Sequence, residues 1–233
     1  MPQIQEGRKD RLLAFRYTYS MIEVISILFV LFVLPVVLWY FKVIPFRYRF
    51  HAFAIIGLCT VAIVLVKGWG GQELGLQGSA VRSYAIPYVL FTLLAGAAVY
   101  LIAKLLKRPG TERWWRMGHF LYGFVLFSAL QEFVFRGFLI PELQSITSVA
   151  WLVILLNALL FTWMHVIYSD DAKALLMIFV GGISFAVMYV SFPSLILVAI
   201  SHMILNFIAV YFGFFTRERM KESHLPKQAS IIS

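Results

Sequence analysis

Four ionisable side chains lie inside apolar segments of the sequence, where a lipid bilayer would not tolerate them singly. Glu132 and Arg136 are four residues apart, and His165 and His202 each lie in a later apolar run. An ionisable group in a membrane segment is energetically costly, so by default it indicates a functional site. A carboxylate and imidazoles are also common general acids and bases in catalysis.

Polar residues recur at helical spacing on three separate segments. Residues four apart share a face of a helix. The groups are Glu132 with Arg136, Asn157 with Phe161 and His165, and His202 with Asn206. Gln131 is rotated about 100° from Glu132, so it faces a different partner. Because polar stripes face the interior of a membrane bundle, we expect these residues to meet at one interior site.

Each group also has a purely structural interpretation. Glu132 and Arg136 could be an ion pair that tethers helices, with Gln131 as an interhelical hydrogen-bonding group. His165 could be an interfacial ring, and His202 could hold helices together. Taken together, these structural interpretations are less convincing, because three segments each carry a polar stripe.

The depth of two of these residues in the membrane can be estimated from the predicted turn near Ser145. Glu132 lies about 20 Å from this turn and His165 about 30 Å from it, so for straight helices their depths differ by about 10 Å.

The composition places these residues in a membrane protein. The chain has 233 residues, of which 61% are hydrophobic and 13% charged, against about 45–50% and about 25% in soluble domains. The net charge of +9 comes from basic residues beside apolar runs, which touch lipid head groups and set orientation rather than bind nucleic acid. The single cysteine, Cys59, excludes an intrachain disulfide and a cysteine metal cluster.

The apolar runs predict an all-α, polytopic bundle of about seven spans, each of roughly 20 residues. The predicted spans are 21–41, 50–66, 84–106, 117–140, 147–168, 172–190 and 193–215. Residues 21–216 form one integral domain between a polar N-terminal segment, 1–20, and a polar C-terminal tail, 217–233. The glycine-rich run 68–79 lacks the ending of a phosphate-binding loop and is interpreted as a plain connection.

Basic residues predict the orientation. With seven spans, 13 lysines and arginines lie on one side and 6 on the other, which puts the C-terminus in the cytoplasm. The basic N-terminal segment argues against this orientation. A further membrane segment among the first three spans would reverse it. We expect a multi-pass protein of a prokaryotic plasma (inner) membrane.

Three motifs on separate spans resemble a known family. Gln131-Glu132-x-x-x-Arg136-Gly137, Phe161-x-x-x-His165 and His202-x-x-x-Asn206 occur in that order. Together they are similar to the CPBP family of CaaX-protease and bacteriocin-processing intramembrane glutamic proteases, which includes the type II CaaX prenyl endopeptidases. The resemblance covers roughly residues 84–210.

The resemblance implies a proteolytic site within the bundle, with no cofactor or metal and with a peptide or lipidated protein as substrate in the lipid bilayer. Its implied roles are water-holding by Gln131 and His165, an oxyanion hole from His202 and Asn206, and support from Glu132 and Arg136. A buried carboxylate can act as general base, and donors facing an oxyanion are a large catalytic term.

The chain departs from the family at the base, where Gln131 replaces a glutamate. A carboxamide cannot take a proton from water. The glutamine could be an engineered substitution that traps substrate, or a natural feature of a binding protein or pseudoprotease. Alternatively, Glu132 could be the base through a shift in register.

Other functions fit the same polar residues. Buried Glu, His and Arg build proton or ion paths in transporters, although the sequence shows none of the repeats or broken helices typical of them. A second alternative is a membrane immunity or binding protein that catalyses no reaction. A third is a metal site formed by Glu132, His165 and His202.

Overall fold

The computed structural model describes residues 21–112, 114, 126–167 and 171–214. These residues are helical or irregular, with no strand among them, as the sequence predicts. The helices are α1 Met21–Tyr40, α2 Arg49–Val66, α3 Gly78–Leu105, α4 over 126–146, α5 Ala150–His165, α6 Ala172–Ser191 and α7 Leu195–Tyr211. The predicted segments 1–20 and 217–233, and the start of the fourth predicted span, lie outside the described residues.

Four of the helices in these ranges are long and apolar enough to cross a membrane, namely α1, α2, α3 and α6. The apolar helices α5 and α7 are shorter, with 16 and 17 residues. Each of the helices α1 to α7 overlaps one of the predicted spans, although α3 begins at Gly78 rather than at the predicted residue 84. The helical polytopic bundle is confirmed.

Within the described residues, two helices contain a π-helical segment, Phe29–Val33 in α1 and Phe133–Leu139 in α4. Each segment ends two residues before a proline, Pro35 and Pro141. Proline removes a backbone donor and its ring clashes with the carbonyl four residues earlier, and such local conflicts are a recognised cause of kinks in helices. The two π-helical segments also touch each other, because the rings of Phe32 and Phe135 lie 5.4 Å apart.

Close packing of α5 on α6 places the second motif against the backbone of α6. A Cβ added at Gly182 would lie 3.3 Å from the ring of Phe161 and 3.4 Å from Ala158, so glycine permits this approach. Helix α7 packs along α3 and also contacts α4 and α6. The ring of Phe161 contacts that of Phe135 at 4.9 Å, which places α5 against the π-helical segment of α4.

The positions of the helix ends correct the depth estimate. The turn between α4 and α5 comprises residues 147–149 rather than a point near Ser145. Glu132 lies 14 residues before Ile146, and His165 lies 15 residues after Ala150. At 1.5 Å per residue both residues lie about 21–23 Å from the turn. The expected mismatch of about 10 Å was wrong, because the count assigned the turn's residues to the fifth span.

The glycine-rich connection between α2 and α3 is more than a linker. The backbone carbonyl of Gly75 accepts a hydrogen bond of 2.9 Å from the amide of Leu195, the first residue of α7. Gly75 has a φ of +66°, and a Cβ there would lie 2.7 Å from the hydroxyl of Tyr189. Glycine is therefore required both by the backbone conformation and by the close approach.

Candidate active site

Gln131 and His165 contact each other directly across α4 and α5. The amide Nε2 of Gln131 lies 3.1 Å from Nε2 of His165, and Nδ1 of His165 lies 2.6 Å from the carbonyl oxygen of Phe161. Because a carbonyl can only accept, Nδ1 must carry the proton. In the neutral ring Nε2 is then an acceptor, and it takes an N–H of the Gln131 amide. The pair is therefore satisfied without any charge.

Glu132 is shared between Arg136 and His202. Its Oε1 lies 3.2 Å from Nη1 of Arg136 and 2.5 Å from Nδ1 of His202. The residues Glu132 and Arg136 are 0% exposed, and His202 is 7% exposed. A carboxylate accepts, so Nδ1 of His202 donates to it. The expected ion pair of Glu132 and Arg136 is present, and it extends to α7.

Arg136 has further contacts that offset its burial. Its Nη2 donates to the carbonyl of Gly182 at 3.2 Å. Its guanidinium carbon lies 4.6 Å from the ring centre of Phe161 and 5.6 Å from that of Phe185, distances at which a cation and an aromatic face attract each other. A buried charge needs such partners, since removing it from water is costly. Arg136 thereby links α4 to α5 and α6.

Asn206 lies near the site but is bonded elsewhere. Its Nδ2 donates to Oγ of Ser128 at 3.1 Å, one turn before Gln131 and Glu132 on α4. His202 and Asn206, the residues implied for an oxyanion hole, thus both donate to side chains of α4 in this structure.

Phe161 is the point at which the three motifs meet. Its ring centre lies 4.4 Å from that of His165 and 6.1 Å from that of His202. Both histidines therefore contact the same ring, with Gln131 beside His165 and Glu132 beside His202. The structure brings the predicted site residues of α4, α5 and α7 together. The catalytic roles implied for them remain predictions.

The metal alternative finds no support in the described part of the chain. No group of three or more His, Cys, Asp or Glu side chains there is placed to hold a metal ion, and this includes the set of Glu132, His165 and His202. Glu132 is instead ion-paired with Arg136 and hydrogen-bonded to His202.

Sequence reasoning missed two contributors to the site, Ser128 and the backbone of Gly182, and it did not predict the bonding partner of Asn157. Asn157, noted only as part of a stripe, donates a 2.6 Å hydrogen bond to the carbonyl of Phe135. Ser128 accepts from Asn206, and the backbone of Gly182 accepts from Arg136. The regular spacing of Asn157 and His165 on one helix face was the sequence signal for Asn157. A backbone carbonyl leaves no signal in the side-chain types, so the contribution of Gly182 could not be predicted from the sequence.

Comparison with known proteins bears on the identity of this site. The family model described as type II CAAX prenyl endopeptidase Rce1-like matches residues 113–208, a range that contains all three motifs. No curated protein and no solved structure matches the chain. The match supports the resemblance found in the motifs, and the apolar helices support an integral membrane protein. Over residues 113–208 the chain therefore resembles the type II CAAX prenyl endopeptidase Rce1-like family.

Proposed function

We propose that this chain is an intramembrane glutamic-type endopeptidase that is impaired because Gln131 occupies the position of the general base. Its substrates would be peptides or prenylated or leader-bearing proteins, cut within the bilayer of a prokaryotic plasma membrane. The observation that carries the proposal is the direct contact of 3.1 Å between Gln131 and His165. The residue at the base position and the motif-two histidine are already in hydrogen-bonding distance, so the substitution changes the chemistry and keeps the position.

A glutamate at position 131 would change what this pair can do. The lone pair of His165 Nε2 would then face a carboxylate, so a proton or a water molecule must lie between them. The carboxylate would take a proton from that water, and the resulting hydroxide oxygen would attack the scissile carbonyl. His202 and Asn206 would supply donors to the oxyanion once released from Glu132 and Ser128, and the proton would pass to the leaving amine.

With glutamine the first step has no base at this position. The amide N–H satisfies His165, and the amide oxygen has no basicity at neutral pH. Loss of general-base assistance typically lowers a rate by about 10²–10⁴-fold. The chain with Gln131 should therefore bind substrate and be proteolytically silent or nearly so.

The test is a cleavage assay on Gln131→Glu in detergent micelles, with a quenched-fluorescence peptide library that includes farnesylated and unmodified members. We expect cleavage to rise by about 10²–10⁴-fold, and His165→Ala in that background to abolish it. Gln144→Glu is the matched control, because Gln144 is exposed on the same helix and the same charge there should change nothing. A Gln131→Glu protein that binds library members but cuts none would contradict the proposal.

A binding or immunity protein without catalysis is the second candidate. The observation in its favour is that Gln131 and His165 satisfy each other as a neutral pair. A site with this pair is stable without a carboxylate, as a scaffold for binding would need. Substrate capture by both the unaltered chain and the Gln131→Glu variant, with hydrolysis by neither, would support it.

A further inference from the structure

We propose that in the chain with Gln131 the general base is His202, positioned by Glu132, and that the Gln131 amide donates to the oxyanion. The proposal rests on the proposed peptidase function. It exchanges the roles implied by the family resemblance, in which position 131 supplies the base and His202 supplies a donor.

The first support is the hydrogen bond between Glu132 and His202. Oε1 of Glu132 lies 2.5 Å from Nδ1 of His202, and Arg136 balances the charge of the carboxylate. The carboxylate can only accept, so it holds His202 in the tautomer with the proton on Nδ1. The lone pair is then on Nε2. A carboxylate that orients a histidine in this way is the arrangement by which a histidine becomes an effective general base.

The second support is the contrast with His165. Both histidines have the proton on Nδ1, but Gln131 occupies the Nε2 lone pair of His165. No hydrogen bond to Nε2 of His202 occurs within the described residues. His202 also has accessible surface, since it is 7% exposed, whereas Glu132 and Arg136 are 0% exposed. Of the two imidazoles, His202 is therefore the one that can take a proton.

The third support is the second hydrogen of the Gln131 amide. The side-chain NH₂ has two donors, and His165 uses one. The other can donate to a developing oxyanion, which a carboxylate at this position could not do. Since both histidines contact the ring of Phe161, the His202 ring and the Gln131 amide beside His165 border the same interior site.

The proposed step conserves protons and electrons. Nε2 of His202 takes a proton from water as the water oxygen forms a bond to the scissile carbonyl carbon, and the carbonyl oxygen becomes an oxyanion that accepts from Gln131. As the C–N bond breaks, the imidazolium returns the proton to the leaving amine. A carboxylic acid and an amine result, and His202 is neutral again.

The test compares His202→Gln in two backgrounds, with the same peptide library and with the Gln131→Glu protein as reference. A glutamine can donate a hydrogen bond but cannot act as a base. In the Gln131 chain we expect the slow hydrolysis to fall to the uncatalysed level. In the Gln131→Glu chain the glutamine can still donate, so we expect a loss of less than about tenfold against the 10²–10⁴-fold typical of general-base loss. His51→Gln, at an exposed position of α2, is the matched control.

Equal proportional losses in the two backgrounds would overturn the proposal, because His202 would then have one and the same role in both. A Gln131 chain that is no faster than its His202→Gln variant would also overturn it. Neither result bears on the proposed peptidase function, which fails only if Gln131→Glu cuts nothing.

The role of Glu132 as a positioning residue has a separate readout. Nitrogen-15 NMR of histidine-labelled protein should show His202 as the Nδ1–H tautomer, assigned by its absence in His202→Gln. In Glu132→Gln the amide can donate as well as accept, so both tautomers should occur. If Glu132→Gln does not fold, the tautomer of His202 in the unaltered chain still decides the point, and a proton on Nε2 there would refute the proposal.

Discussion

Asn157 on α5 donates a hydrogen bond of 2.6 Å to the backbone carbonyl of Phe135, in the middle of the π-helical segment of α4. Both residues are buried. A π-helical segment disturbs the regular ladder of backbone hydrogen bonds, and such segments are frequent at functional sites. The amide of Asn157 anchors this segment directly after Gln131 and Glu132, and it thereby fixes how these two side chains are presented to α5 and α7.

Replacing Asn157 by alanine should destabilise the protein. The change leaves the buried carbonyl of Phe135 without its side-chain donor, and an unsatisfied buried group costs about 1–3 kcal/mol. Thermal unfolding in detergent should therefore show a lower Tm. Gln144→Ala, at an exposed position of α4, serves as control. An unchanged Tm in Asn157→Ala would mean that the π-helical segment does not depend on this hydrogen bond.

Arg136→Ala should lower the yield of folded protein and its Tm. It would leave the fully buried carboxylate of Glu132 with His202 alone and remove the donor to Gly182. Breaking a buried pair on one side typically costs about 3–5 kcal/mol. Arg82→Ala removes an exposed arginine of α3 and should have little effect. Equal thermal stability of the two variants would contradict a structural role for the pair.

Adjacent glycines in α6 should respond differently to the same substitution. A side chain at Gly182 meets Phe161 and Ala158 at 3.3–3.4 Å, whereas at Gly181 nothing lies within 4 Å. Gly182→Val should force α5 and α6 apart, and overpacking typically costs about 1–3 kcal/mol. Gly181→Val should be tolerated. Unfolding of both variants in detergent measures the difference, and a Gly182→Val protein as stable as Gly181→Val would show that the two helices can separate freely.

Lys67 and Glu142 form an ion pair between the end of α2 and α4, with side chains 3% and 1% exposed. Single removal of either partner should be strongly destabilising, by about 3–5 kcal/mol, whereas replacing both by apolar residues of similar size is often neutral. We expect Lys67→Met and Glu142→Leu each to lower the Tm, and the double variant to recover most of the loss. Additive losses in this double-mutant cycle would show that the two side chains are not coupled.

Much of the fold could be predicted because hydropathy reports directly on transmembrane helices. The predicted start of the sixth span at Ala172 coincides with the start of α6. The end of the fourth span was placed six residues early, at Ile140 rather than Ile146. Because residues such as Glu142 are polar, the composition suggested that the fourth span ends before them. In the structure Glu142 is instead buried against Lys67, a tertiary contact that no local pattern indicates.

At the site, side-chain spacing predicted which residues meet but not how they bond. The four-residue spacing of Glu132 and Arg136 indicated a pair, and the pair is present. The bond of His202 to Glu132 could not be predicted, because it depends on the depth and rotation of α7 relative to α4. Pro141 was a sequence signal for the irregular part of α4, since proline disturbs the preceding turn.

The length of α5 has a consequence for water. Its 16 residues span about 24 Å at 1.5 Å per residue, less than the roughly 30 Å of a hydrocarbon core. A helix that is too short for the membrane thins the bilayer around it. His165 is the last residue of α5, so the thinned edge lies beside it. We therefore expect bulk water to come close to this histidine without a channel through the protein, which would supply the second reactant of any hydrolysis at the site.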